Sequence, residues 1–372
     1  MNEDFLNNRL QRRREEDALR RLAITGAGID LCSNDYLGVV RNKRIESVID
    51  HSAAQEKLYG STGSRLISGN YRLIEETEKQ IARFHASPSA LIFNSGYDAN
   101  TGLLGSVPQR GDTVLYDQLS HASIRDGIRL SLAHSFSFAH NDLADLEKKL
   151  RQASGNIFVV TESIFSMDGD SAPLREIVDL CRRYEARLIV DEAHATGVVG
   201  RSGEGLAQML QLQEDCFARI YTFGKALGCH GAVIACSSLL RDYLINFSRP
   251  FIYTTAMPAS AVLAIQAAYS LFPGMQEERN NLQSLIGAFR AAAGNLVISE
   301  SKTPIQAVII PGNRQVKAAA SRLQENGFDL RPILSPTVPQ GKERLRVVLH
   351  AFNTIAEVER AIGMIVGLTN IA

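Results

Sequence analysis

The sequence predicts an α/β fold: a large domain with a mostly parallel sheet covered by helices, and a smaller α+β C-terminal domain. From residue 89 to about residue 223, short apolar runs rich in branched and aromatic residues alternate with helix-like segments. The chain has 372 residues, too many for one small core. After about residue 270 the alternation stops, and a long helix-like segment is followed by strand-like runs.

The N-terminal part of the chain is predicted to be mainly helix and loop. Residues 1 to about 23 are charged and helix-like, and 26–38 indicate a turn, a short strand and a polar loop. A helix is predicted around 44–58, and the glycine- and serine-rich stretch 59–70 predicts a loop. Apolar residues at helical spacing predict an amphipathic helix over 71–86.

The alternating region predicts successive strands and helices. Strands are predicted at 89–94, 112–117, 134–139, 156–162, 186–192 and 216–223. Helices are predicted at 95–107, 121–132, 142–153 and 174–185. The C-terminal region predicts a helix over 273–296, a small mixed sheet from 304–312, 328–339 and 344–351, and a closing helix over 354–368. The predicted domains are an N-terminal segment (1–46), a large domain (47–270) and a small domain (271–372).

Composition excludes several classes of protein. Forty basic residues balance forty acidic ones, which does not indicate binding to nucleic acid or to an anionic membrane surface. The five cysteines are odd in number and contain no C-x-x-C pair, so reduced thiols are expected. No apolar run reaches the ~18 residues of a membrane span, and the charged start lacks the apolar core of a secretory signal. We therefore expect a cytoplasmic protein.

A lysine and an acid follow two neighbouring predicted strands. Lys225 lies in TFGKALG (222–228), and Asp191 and His194 lie in DEAH (191–194). Because the carboxyl ends of parallel strands face the ligand crevice of an open α/β sheet, we expect these side chains to lie close together. A lysine can form a Schiff base with an aldehyde, and a buried carboxylate can keep a pyridine nitrogen protonated. The set fits a pyridine aldehyde cofactor.

Other interpretations of these residues were weighed. DEAH also names a helicase box, but the chain has no G-x-x-x-x-G-K-[ST] loop to hold nucleotide phosphates. No further clustered ligands accompany the acids and the histidine, so a metal site is not predicted. Glu192 could be a hydrogen-bonded structural acid, and Lys225 a surface residue or helix cap.

Three further motifs are compatible with cofactor binding and also with ordinary turns. Gly96 and Tyr97, with Ser95, would lie at a helix N-terminus, which favours a phosphate, and Thr222 could add a hydroxyl. His121 could stack on a flat ring or simply start a helix. Ser166 could donate to a cofactor oxygen. Arginines that bind substrate carboxylates are also expected, but spacing alone does not single out Arg20 or Arg346.

Together these motifs resemble the α-oxoamine synthases, fold-type I pyridoxal-phosphate (PLP) enzymes that condense an amino acid with an acyl thioester and release carbon dioxide. The resemblance runs from about residue 9 to the end, and it is carried by TFGKALG, DEAHATGVVG, ESIFSMDGDSAPL, LSHASIRDG, SNDYLG and GSTGSRLISGN. The chain is shorter than many relatives between DALRR and LCSNDYLG.

The resemblance implies a role for each matching residue. Lys225 carries PLP and later removes a proton, Asp191 pairs with the ring nitrogen, and His121 stacks on the ring. The other implied cofactor contacts are His194, Ser166, Gly96, Tyr97 and Thr222. The implied substrate contacts are Arg20, Asn34, His121, Thr337 and Arg346.

The resemblance also implies a homodimer whose active site lies between two subunits, with Thr254 or Thr255 reaching the partner's cofactor. L-alanine and an acyl thioester are the implied substrates, and the protein is expected to be a transferase. It leaves open whether coenzyme A or acyl carrier protein carries the acyl group.

Overall fold

The computed structural model describes residues 3–22, 24, 28–43, 46–47 and 59–369. The helix predicted around 44–58 lies almost wholly outside these residues. The structure divides into two compact units. The larger unit comprises Leu37–Phe165 and Ser171–Gln276, and the smaller unit comprises the chain up to Tyr36, Ser166–Asp170 and the chain from Glu277. The domain boundaries near residues 46 and 270 stay a prediction.

The described strands and helices are numbered in chain order. The strands are β1 (Ile29–Asp30), β2 (Ser89–Phe93), β3 (Thr113–Asp117), β4 (His134–Phe138), β5 (Ile157–Glu162), β6 (Arg187–Asp191), β7 (Cys216–Thr222), β8 (Ala232–Cys236), β9 (Ile305–Ile309), β10 (Phe328–Asp329), β11 (Pro332–Ile333) and β12 (Arg344–Val348). The α-helices are α1 (Asp4–Glu15), α2 (Arg72–Phe84), α3 (Gly96–Ser106), α4 (Ala122–Leu130), α5 (Leu143–Leu150), α6 (Leu174–Arg183), α7 (Leu206–Met209), α8 (Ser238–Phe247), α9 (Arg249–Ile252), α10 (Ala259–Leu271), α11 (Gln276–Ala292), α12 (Asn313–Glu325) and α13 (Ile355–Thr369).

The larger unit is built on a seven-stranded sheet of order β2-β8-β7-β6-β5-β3-β4. Strands β4, β3, β5, β6 and β7 are parallel to one another, whereas β8 runs antiparallel to both of its neighbours. The predicted mostly parallel sheet is confirmed. The sequence analysis assigned no strand to β8, whose residues are all buried and follow the Lys225 turn directly.

Both faces of this sheet are buried, which explains why its strands are continuous apolar runs. Val160, Ile189 and Ile220 lie on adjacent central strands and are at most 1% exposed. Each such side chain contributes about 2 kcal/mol by leaving water. The central strands are thereby fixed in place, and with them the polar residues at their carboxyl ends.

The smaller unit contains two separate sheets where one mixed sheet was predicted. β11, β12 and β9 form an antiparallel sheet, and β1 pairs in parallel with β10. The prediction treated 328–339 as one strand, but it contains both β10 and β11, which belong to different sheets. The local pattern of a two-residue strand does not reveal its partner, so the single mixed sheet was wrong.

The first helix ends at Glu15, well before the predicted end near residue 23. Asp17 adopts a left-handed conformation with φ of 52°, and Ala18 N–H donates to Arg13 O at 2.8 Å. This six-residue hydrogen-bonded closure is a common helix C-terminus. No helix in the described part of the chain combines the length and apolarity needed to cross a bilayer.

Candidate active site

Three strands of the larger unit end in polar residues at one edge of the sheet. β5 ends at Glu162, β6 ends at Asp191, and β7 ends at Thr222, three residues before Lys225. Glu162 and Asp191 are neighbours in the parallel register. Since β5, β6 and β7 run in the same direction, all three ends face the crevice where ligands bind in open α/β sheets.

Lys225 lies in a tight turn that begins directly after β7. Phe223 O accepts from Cys229 N–H at 2.8 Å, and Lys225 O accepts from Gly228 N–H at 2.8 Å. Gly228 has φ of 62°, and a Cβ there would lie 2.8 Å from Val40 Cγ2, so this position requires glycine. The turn holds the backbone of the partly buried lysine in one conformation.

Asp191 and Glu192 are adjacent buried acids with different surroundings. Asp191 accepts hydrogen bonds from Ala193 N–H at 2.9 Å and from the Asn100 amide at 2.8 Å. Glu192 accepts from Ser163 Oγ at 2.6 Å and from two backbone N–H groups at the start of α7. Glu192 is therefore a hydrogen-bonded structural acid, and Asp191 remains the candidate partner of a ring nitrogen.

His121 is the N-cap of α4, and its side chain accepts from Ser123 N–H. Its own N–H donates to Glu162 Oε1 at 2.6 Å. Burial, together with the Lys225 cation, holds the pKa of His121 below its usual value, although Asp191 opposes this shift. His121 is thus a neutral imidazole at neutral pH, near both the acid and the lysine.

Glu162 is a fully buried acid that the sequence analysis did not select. Burial, and next the negative charge of Asp191, raises the pKa of Glu162 to about 8. The carboxyl group is therefore mostly protonated at neutral pH and still accepts the His121 N–H. The rule that strand ends face the ligand crevice would have identified Glu162, had it been applied to β5 as it was to β6.

We expect Glu162→Gln to stabilise the protein increasingly as pH rises. The folded pKa of about 8 exceeds the ordinary value of 4.5, so the folded state binds this proton more tightly than the unfolded state. That contribution is complete below about pH 4.5 and is lost as pH rises through about 8, whereas glutamine does not titrate. Urea unfolding of both proteins from about pH 5 to about pH 9 measures the difference. Parallel stability profiles would contradict the shift, and the exposed-side variant Glu147→Gln is the control.

The N-terminus of α3 has the features of a phosphate site. Ser95 caps the helix by accepting from Asp98 N–H at 3.0 Å, and the first intrahelical bond is from Ala99 N–H. The N–H groups of Gly96 and Tyr97 precede that bond and so have no partner within the helix. A Cβ on Gly96 would lie 3.6 Å from Thr222 Oγ1, which places the Thr222 hydroxyl beside the helix start.

Thr254 and Thr255 are tied to the same region through Asn94, just before α3. The Asn94 amide donates to Thr254 Oγ1 at 3.0 Å and to Thr255 O at 2.9 Å. Tyr97 is half-exposed, and its hydroxyl donates to Asp126 Oδ2 at 2.7 Å. His194 is buried in the turn after β6. The structure thus brings the threonines and the helix start together within one chain.

The smaller unit brings Arg346, Asn34 and Ser166 together. Arg346 lies on β12 and donates through Nε to Ser166 O at 2.6 Å and through Nη2 to Asn34 Oδ1 at 3.0 Å. It forms no ion pair with any carboxylate among the described residues, whereas Arg344 on the same strand pairs with Asp168. Arg346 is therefore a held, half-buried cation whose charge is available to an anionic ligand.

Arg20 and Thr337 form the other predicted substrate pair of this unit. Arg20 Nη2 donates to Thr337 Oγ1 at 3.0 Å, although the residues are far apart in sequence. Arg20 is exposed and also makes no ion pair within the described part of the chain. Neither contact could be read from spacing, which is why these arginines were not distinguished from the other cations of the sequence.

Sequence reasoning missed several polar residues that hold the predicted ones. Asn100 contacts Asp191, Asn94 contacts the two threonines, and the buried Tyr36 hydroxyl donates to Asn34 Oδ1 at 3.2 Å. Each is an ordinary residue within a helix or loop, without a motif of its own. Only the folded chain shows that they contact predicted site residues.

Comparison with known proteins identifies the class. The family model for aminotransferase class I and II matches residues 27–365. The chain therefore belongs to the aminotransferase class I and II family, and its fold-type I architecture and its resemblance to the α-oxoamine synthases are confirmed.

Particular relatives narrow this further. The chain is 41% identical to an 8-amino-7-oxononanoate synthase from Emericella nidulans, with 96% of this chain and 93% of that protein covered. The crystal structure of 8-amino-7-oxononanoate synthase from Francisella tularensis matches with TM-score 0.82 and 27% identity, covering 93% of this chain and 98% of that one. A serine palmitoyltransferase from S. paucimobilis, solved with bound PLP and myriocin, matches with TM-score 0.89 and 25% identity over 99% and 97% of the two chains.

Proposed function

We propose that this protein is a PLP-dependent acyltransferase of biotin biosynthesis. It condenses L-alanine with a pimeloyl thioester and releases 8-amino-7-oxononanoate, carbon dioxide and the free thiol carrier. The observation that carries the proposal is the placement of Asp191 and Lys225 after the adjacent parallel strands β6 and β7. The 41% identity over 96% of the chain supports the choice of reaction.

The residues present fit PLP. Asp191 supplies a buried carboxylate for a ring nitrogen, Lys225 an amine for an aldehyde, and His121 a flat ring for stacking. The two N–H groups at the start of α3 and the Thr222 hydroxyl form a cradle for a phosphate, which Gly96 keeps open because it has no Cβ. When bound, PLP supplies a sink for the electrons of the bond that breaks at the substrate α-carbon.

Each residue of the larger unit then has a defined task. The carboxylate of Asp191 holds a proton on the ring nitrogen, and the low dielectric around this buried group strengthens that pairing. Lys225 Nζ holds the cofactor before substrate binds and afterwards takes the α-proton of the amino acid. Neutral His121 covers the ring, and buried His194 lies near the ring oxygen, with Ser166 as a further donor.

Carboxylate binding is assigned to the cations of the smaller unit. Arg346 donates to neutral acceptors only, so its charge is unbalanced until an anion binds, and Asn34 fixes its orientation. We assign Arg346 to the amino-acid carboxylate. Arg20, held by Thr337, is assigned to the acyl substrate.

We expect Arg346→Gln to raise KM for L-alanine. A charged hydrogen bond is worth about 1.5–3 kcal/mol, which corresponds to about a 10- to 100-fold increase in KM. The affinity for PLP should stay nearly unchanged, and steady-state kinetics with cofactor titration measures both. Arg322→Gln, which removes a surface arginine paired with Glu325, is the matched control. An unchanged KM for alanine in Arg346→Gln would remove this residue from the substrate site.

We propose that the protein acts as a homodimer in which Thr254 and Thr255 reach the partner's cofactor. Ile67 and Tyr253 are 86% and 74% exposed, and their loops are joined by a hydrogen bond from Ala256 N–H to Gly63 O at 2.9 Å. Exposed apolar side chains of this size suit a protein interface. Light scattering should give twice the mass of one chain, and a monomer at micromolar concentration would contradict the proposal.

We also propose a cytoplasmic location, because an odd number of cysteines suits a reducing compartment. Fractionation of cells, with antibody detection of the protein, tests it. Recovery of the protein outside the cytoplasmic fraction would exclude this location.

The visible spectrum of the PLP-loaded protein, before and after addition of L-alanine, tests the function. We expect a band above the protein absorbance that changes with alanine. Product assays with alanine, glycine and serine, each paired with pimeloyl, acetyl, succinyl and palmitoyl thioesters, then test the substrates. The similarity to serine palmitoyltransferase keeps serine with a long-chain thioester as the second candidate. Turnover of that pair, without turnover of alanine and a pimeloyl thioester, would select it.

A further inference from the structure

Asn100 connects Asp191 to a second polar residue inside the larger unit. It lies on α3, is 2% exposed, and its Nδ2 donates to Asp191 Oδ2 at 2.8 Å and to Ser123 Oγ at 3.0 Å. Both N–H groups of the amide are thus used. The reversed amide would place its oxygen against the Asp191 carboxylate, so the acid determines which way the amide points.

Ser123 passes this orientation on to His121. Its Oγ accepts from Asn100, so its own hydrogen is free to donate to His121 Nδ1, 2.8 Å away. Ser123 N–H donates to the same nitrogen at 3.2 Å. His121 Nδ1 therefore accepts two hydrogen bonds and carries no proton. A neutral imidazole has one N–H, which must then be on Nε2.

We propose that Asn100 and Ser123 are positioning residues that hold His121 as the neutral Nε2–H tautomer, in a relay whose direction is set by the Asp191 carboxylate. The relay makes His121 a hydrogen-bond donor at Nε2. Resting on the proposed function, this donor suits an oxygen on which negative charge develops, such as the thioester carbonyl oxygen of the acyl substrate. His121 in this state is a donor, and Lys225 remains the base.

The charges around His121 agree with a neutral ring. Burial and the cations Lys225 and Arg125 disfavour protonation, whereas Asp191 and Asp126 favour it, and the net direction is a lowered pKa. Glu162 accepts the backbone N–H of His121 and so fixes the start of α4. Neither carboxylate that favours protonation contacts the imidazole nitrogens directly in the printed hydrogen bonds, where Ser123 occupies Nδ1.

Nitrogen NMR of the full-length protein labelled with ¹⁵N-histidine tests the tautomer, with and without PLP. Comparison with His121→Gln assigns the two ring signals. We expect Nδ1 in the unprotonated range and Nε2 in the protonated range at neutral pH. A protonated Nδ1 would overturn the proposal. This readout requires no turnover, so it is independent of whether alanine and a pimeloyl thioester are the substrates.

Variants test the coupling. Ser123→Ala and Asn100→Leu are each expected to lower kcat about tenfold, with the double variant no worse than about tenfold, because both break one network. The His121 pKa measured by NMR should rise in Ser123→Ala and return in Ser123→Thr, which restores the hydroxyl. Ser106→Ala removes a helix serine that donates only to Gly102 O, and is the control. Additive losses in the double variant, or an unchanged His121 pKa in Ser123→Ala, would overturn the relay.

Discussion

Lys225→Ala is expected to abolish turnover and the visible absorbance of the protein reconstituted with PLP. The substitution removes both the amine that holds the cofactor and the base that takes the α-proton, so we expect a loss of about a thousandfold or more. The tight turn from Phe223 to Cys229 is built from backbone hydrogen bonds and stays intact with alanine. Absorbance spectra, steady-state assays, and borohydride reduction followed by peptide mapping measure the outcome.

Lys342→Ala is the matched control for this substitution. Lys342 also follows a glycine, but it is exposed and lies just before β12 in the smaller unit. It should keep full turnover and the same borohydride-labelled peptide as the unmodified protein. Normal activity in Lys225→Ala, or a label on another peptide, would refute the assignment of Lys225.

Asp191→Asn is expected to lower kcat by about a thousandfold while much of the affinity for PLP is retained. Asparagine has nearly the same shape, so the pocket is preserved, but it lacks the charge that keeps a ring nitrogen protonated. Its amide also faces the N–H groups of Asn100 and Ala193, which now donate to the carboxylate. Steady-state kinetics and fluorescence titration with PLP separate the two effects.

Asp112→Asn is the control for removal of a buried carboxylate. Asp112 precedes β3, at the opposite edge of the sheet, and accepts from Gln109 N–H at 2.8 Å and Asn156 N–H at 2.9 Å. Its loss should lower stability, measured by urea unfolding, and leave kcat unchanged. If Asp191→Asn kept the kcat of the unmodified protein, Asp191 would have no role in keeping the ring nitrogen protonated.

The site residues predicted from the sequence are those whose position depends mainly on local pattern. A run such as ARLIV predicts a buried strand by itself, and the residue after a strand in a parallel sheet faces the crevice whichever strands lie beside it. Asp191 and Lys225 could therefore be selected before their strands were known to pair. Gly96 and His121 follow from the same rule applied to helix starts.

The residues that were missed depend on contacts between distant segments. Asn100 has no motif, and its significance lies in meeting Asp191 from another element. The pairing of Arg20 with Thr337 likewise joins the two ends of the chain. β10 and β11 are so short that their sheets follow from available partners and not from their own residues.

Alone, the sequence determined the class of fold, the cofactor chemistry and the lysine and acid that perform it, because short-range patterns specify strands and strand ends specify a crevice. The tertiary structure decided which arginine is left without a carboxylate, which acid is held protonated and which tautomer the histidine adopts. These properties depend on burial and on hydrogen-bond partners, and both are set by packing between segments that are remote in the chain.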